Sequence, residues 1–83
     1  MERLLESAAT KAGVPSQVLD LLDRSWISQL VDEFPSLLLP PIMETLHREY
    51  VRHGLEWMKQ NVDSLKKQFL LMKQLYGPTW ILA

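Results

Sequence analysis

Residues 51–76 read VRHGLEWMKQNVDSLKKQFLLMKQLY. Within them Val51, Leu55, Met58, Val62, Leu65, Phe69, Met72 and Tyr76 recur at alternating steps of four and three. That period is the seam of a helix packed lengthwise on other helices. Beside the seam, Arg52, Lys59, Lys66 and Lys73 recur every seven positions as a cationic rail. With Leu55, Val62, Phe69 and Tyr76 at a, and Val51, Met58, Leu65 and Met72 at d, the rail occupies e. Gly54, Asn61, Gln68 and Leu75 occupy g. A parallel pair of such helices sets cations against neutral groups, whereas an antiparallel pair brings rail near rail and repels.

Working outward, this helix is expected to begin at Pro41 and to end near Tyr76, where Gly77-Pro78 stops it. A helix over 41–76 would be about 52 Å long. Glu44 with Arg48, Glu49 with His53 and Asp63 with Lys67 are spaced to support it, each by about 0.2–0.5 kcal/mol. Gly54 is its weak point, at about 1 kcal/mol relative to Ala. The run Arg52-His53-Gly54 also reads as a helix end with cations in its last turn. Because no capping residue follows and the heptad passes through without a skip, a continuous helix is expected, bent or closely crossed at Gly54.

Upstream, residues 35–41, Pro-Ser-Leu-Leu-Leu-Pro-Pro, read as a stiff connector with its leucines buried under a hairpin. A second helix is expected over 15–34, since Pro15 and Ser16 suit its start and Pro35 disfavours helical geometry at Phe34. Its apolar stripe covers more than half its circumference, which predicts two neighbours. A short first helix over 2–12 carries the small-residue stripe Leu4, Leu5, Ala8, Ala9, Ala12 and is capped by Gly13. Residues 77–83 form an apolar tail containing Trp80, Ile81 and Leu82. The expected fold is all-α: a helical hairpin with a short N-terminal helix, three helices in all with a long C-terminal one. Dimerisation would complete the bundle.

Eighty-three residues allow one domain, 1–83, in which a lone core is marginal and a partner often supplies missing burial. Apolar residues make up 47% and charged residues 23%, as in a folded protein. The chain has no cysteine, which rules out disulfides and thiolate metal sites, and a cytoplasmic location is expected. Residues 1–12 lack a signal-peptide pattern, and no run approaches a transmembrane span. The net charge is −1, with no global drive toward nucleic acid or anionic membrane. Residues 1–34 carry six acids against three bases, and residues 35–83 four against six, so the halves are expected to fold against each other. Asp20, Asp23, Asp32 and Glu33 are the candidate counter-charges to the rail.

Length then points to function. A second helix of about 28 Å cannot cover a third of about 52 Å. The end left over holds Leu65, Phe69, Leu70, Leu71, Met72, Leu75 and Tyr76. Left in water, it would be an aggregation-prone surface. The expected function is therefore a protein–protein interaction module: an adaptor, docking element, assembly factor or inhibitory regulator. Its partner is another protein or a second copy in a homodimer. The expected partner-binding residues are Leu65, Phe69, Leu71, Met72, Tyr76, Trp80, Ile81 and Leu82, with Arg52, Lys59, Lys66 and Lys73 setting orientation.

Signals for chemistry are weak. Glu44-Thr-Leu-His47 has the Glu-x-x-His spacing of a di-metal bundle, but a site would need two more inward carboxylates, for which Glu33 and Glu49 are the candidates. The pattern is common by chance and reads as an exposed helical pair. His53 reads as a helix-face histidine beside Glu49. Ser16, Ser25, Ser28, Ser36 and Ser64 lie in no nucleophile context, and there is no phosphate-binding glycine loop. No enzyme activity, cofactor or small-molecule substrate is expected, and neither nucleic acid nor membrane is an expected partner. The alternative is a helical nucleic-acid-binding regulator that tracks phosphates with Arg52, Lys59, Lys66, Lys67 and Lys73.

Overall fold

Three residues with unusual backbone geometry divide the chain. The computed structural model describes residues 2–76, and the expected apolar tail lies outside them. Gly13 and Gly54 have φ of +76° and +87°, and Asp23 is a non-glycine residue at φ 70°. Each marks a helix end, and the described residues form six helices rather than the expected three: α1 Glu2–Ala12, α2 Ser16–Leu22, α3 Arg24–Val31, α4 Pro35–His53, α5 Leu55–Gln60 and α6 Val62–Tyr76.

Helix α1 has the expected bounds. Val14 N–H donates to Ala9 C=O at 2.8 Å and Gly13 N–H to Thr10 C=O at 3.2 Å. This is a Schellman closure, and it uses the left-handed φ that glycine takes without a side-chain penalty. Val14 and Ala9 are both buried, which supplies the apolar contact that accompanies such a cap.

The expected single helix over 15–34 is instead two. At Asp23 the chain turns, and the Asp23 carboxylate accepts the Ser25 N–H at 3.0 Å, capping α3. A stripe wider than half a straight helix cannot face one core. Breaking at Asp23 lets Val18, Leu19 and Leu22 of α2 and Ile27, Leu30 and Val31 of α3 reach the same interior.

The Pro-rich connector is corrected to helix. Pro35 occupies the first turn of α4, after Phe34 at φ −139°, but Pro40 and Pro41 lie within the helix. They cost ladder hydrogen bonds and disfavour helix at Leu39. The helix survives because Leu38, Leu39, Ile42, Met43 and Leu46 on its inner face are buried, each at 4% exposure or less. Burial of such side chains contributes roughly 1.5–3 kcal/mol each.

The single helix over 41–76 is corrected to the end of α4, then α5, then α6. Gly54, at φ 87° and ψ 173°, ends α4, and its N–H donates to Tyr50 C=O at 2.9 Å. Asn61 ends α5. Its backbone N–H tightens onto Met58 C=O at 3.1 Å, and its side-chain Nδ2 donates to Trp57 C=O at 2.7 Å. The side chain thus satisfies the carbonyl that a continuing helix would have bonded through the same residue's backbone. Two breaks let α6 fold back on α2, α3 and α4 while α5 packs on α2 and α4. A rod of about 52 Å would not fit the described residues, whose longest extent is 39 Å. No helix among them is long and apolar enough to cross a membrane.

Candidate functional site

The two folded-back segments shelter much of the seam. Met58 and Phe69 are 0% exposed and Leu65 3%, while Leu55, Val62 and Met72 are half-buried against the core. Leu65 and Phe69, expected to bind a partner, are part of this chain's own interior. Among the described residues, three helices take the place of the single long helix that would have outrun its cover. Leu71 remains exposed at 60%, flanked by Leu70 at 48% and Leu75 at 73%. Tyr76 closes α6. Trp80, Ile81 and Leu82 lie outside the described residues.

The rail is divided among three helices. Arg52 is exposed in the last turn of α4, and Lys59 pairs with Glu56 at 3.4 Å on α5. On α6, Lys66 is half-buried over the Trp26 ring and Lys73 is half-buried in the last turn. The acids of the first half do not answer it. Arg24 pairs with Asp20 at 2.9 Å and with Glu6, so those charges are settled inside residues 1–34. Among the described residues, no ion pair joins the two halves, which meet through apolar side chains. Of the expected helical pairs, Glu49–His53 forms at 3.4 Å, whereas Arg48 approaches Glu49, at 3.8 Å, in place of Glu44. His53 also stacks on Trp57 across the Gly54 break, with ring centres 4.0 Å apart. The two residues are four apart, a spacing that would also set them on one face of an unbroken helix, so the pairing was legible in the sequence.

A second feature emerges where α1 meets α4. Helix α1 packs closely on α4, and along the outer side of their contact the two helices leave a groove of about 570 Å³. Leu4, Ala8, Leu39 and Met43 form apolar walls, and Lys11, Glu44 and His47 stand toward one end. Gly13 fixes which end that is, since a Cβ there would lie 3.4 Å from the His47 ring. The signal was present in the small-residue stripe of α1 but had no partner in the sequence until residues 35–41 proved helical. Glu44 and His47 both line this groove, and among the described residues no cluster of three acidic or histidine side chains could hold a metal ion.

No protein-family model, curated protein or solved structure matches this chain. Its function must therefore be argued from these two surfaces: the leucine face of α6 and the groove between α1 and α4.

Proposed function

We propose that this chain is a small helical protein–protein interaction module whose docking surface is the outer face of α6. The observation that carries this reading is the exposure of Leu70, Leu71 and Leu75, at 48%, 60% and 73%, within six residues of one helix. Scattered exposed leucines are ordinary, but three adjoining ones on one helix suit a partner's apolar groove. The partner is another protein or a second copy of this chain. The surface is narrower than the full heptad seam, because Leu65 and Phe69 belong to the interior. Lys67 and Lys73 flank it and bear on association rate and orientation more than on affinity.

A photoreactive amino acid placed at Leu71 or Leu75 tests the reading directly. Adducts with a discrete protein are expected from these positions and not from exposed Gln29 on α3. Equal labelling at all three positions would overturn it. The nucleic-acid alternative has less support, because Lys59 is paired with Glu56 and Lys66 sits on Trp26, leaving no continuous cationic track.

A further inference from the structure

We infer that the α1–α4 groove receives the α6 leucine ridge of a second copy of this chain. The inference rests on the docking reading of α6 and names its partner. Three properties of the two surfaces correspond: length, polarity and charge.

In length, the groove-lining run of α4 extends from Pro35 to His47, and the exposed stripe of α6 from Asp63 to Leu75. Each covers thirteen residues, or about 18 Å of helix from first to last. In polarity, both surfaces are apolar at one end and charged at the other. The groove passes from Leu4 and Leu39 to Lys11 and Glu44, and the contact of Gly13 with His47 places Lys11 and Glu44 at the same end. The ridge passes from Leu75 and Leu71 to Lys67 and Asp63, residues successively four apart that form one row inclined to the helix axis.

The charges complete the match. Each surface carries one cation and one acid at its polar end, so laying α6 antiparallel to α4 brings Lys67 to Glu44 and Asp63 to Lys11. All four side chains are exposed, and none makes an ion pair among the described residues. Leu71 and Leu75 then enter the apolar length of the groove, a helix-in-groove contact with leucine anchors at i and i+4. The contact is heterologous: ridge on one copy, groove on the other. It closes into a dimer when two copies exchange ridges reciprocally, and propagates into rings or open chains when each copy's ridge enters the groove of a further copy.

Sedimentation velocity over a concentration series tests this with the full chain. The parent is expected to self-associate. A ridge variant, Leu71→Asp with Leu75→Asp, and a groove variant, Ser7→Arg, alter exposed positions and should retain the circular dichroism melt that the parent shows when dilute enough to be monomeric. Each alone should associate about thirtyfold more weakly or worse, the equivalent of losing a 2 kcal/mol anchor. Mixed, they should form a one-to-one complex, because one supplies an intact groove and the other an intact ridge. Glu44→Lys is a second groove variant should Ser7→Arg unfold, and combining it with Lys67→Glu should restore association. A groove variant that associates like the parent would overturn the inference in favour of ridge-on-ridge contact. A parent that stays monomeric into the millimolar range would overturn it as well. The photochemical adducts at Leu71 would then decide separately whether α6 docks on a different protein.

Discussion

The ammonium of Lys66 lies 5.0 Å from the centre of the Trp26 ring, tying the second turn of α6 to the first turn of α3. This contact exists only because the chain reverses at Gly54 and Asn61. It changes what Lys66 is for: a side chain expected to orient a partner is engaged inside the molecule. Lys66→Ala should lower stability by about 0.5–1 kcal/mol, the size of a partly exposed cation–π contact. A double-mutant cycle with Trp26→Leu, read by urea denaturation, should recover most of that as coupling. Independent, additive losses would show that the two side chains are merely neighbours.

Gly54 has open space around its missing Cβ, with no atom within 4 Å, so sterics beyond its own backbone impose nothing there. Its φ of 87° and ψ of 173° nevertheless fall where essentially only glycine is found. Gly54→Ala should therefore cost about 1–3 kcal/mol. A D-alanine introduced at the same position by chemical synthesis mirrors this geometry into the extended region open to any residue and should cost little. Equal losses from both enantiomers would locate the effect outside the backbone.

Phe69 and Leu71 stand two residues apart on α6 with opposite environments, 0% and 60% exposed. Phe69→Ala should destabilise the fold by about 3–5 kcal/mol through cavity formation. Leu71→Ala should stay within about 0.5 kcal/mol of the parent. Thermal unfolding of the two variants side by side checks the pair. At concentrations where the chain is monomeric, comparable losses would mean that Leu71 is covered by its own chain and is unavailable for docking.

Asp23 combines a strained backbone with a useful side chain. Asp23→Ala removes the cap on Ser25 and keeps the positive φ, and should cost about 1 kcal/mol. Asp23→Gly loses the same hydrogen bond but relieves the backbone, so its loss should be only a few tenths of a kcal/mol. An order of stability with glycine below alanine, measured by urea denaturation, would show that the positive φ at this joint carries no penalty for glycine to relieve.

What the sequence by itself determined is the all-helical class, the bounds of α1 with its Gly13 stop, and which residues are apolar enough to be buried. Those follow from local terms: the period of the apolar positions and the capping chemistry of a glycine. The heptad phase was legible from Met58 to Phe69, since Met58, Leu65 and Phe69 all turn inward, but not at its start, where Val51 is 70% exposed. The continuity of the helix was not legible either. A helix through Gly54 and one broken there differ locally by only about 1 kcal/mol, too little for one chain segment to decide. Folding α6 back on α2, α3 and α4 buries Leu65 and Phe69, and that burial outweighs the local difference. The same competition makes Pro40 and Pro41 helical, because the inner face of α4 offsets two missing hydrogen bonds. Only tertiary structure could decide which leucines of α6 stay in water and where α1 leaves a groove, because both depend on surfaces far apart in the chain meeting at a distance set by side-chain volume.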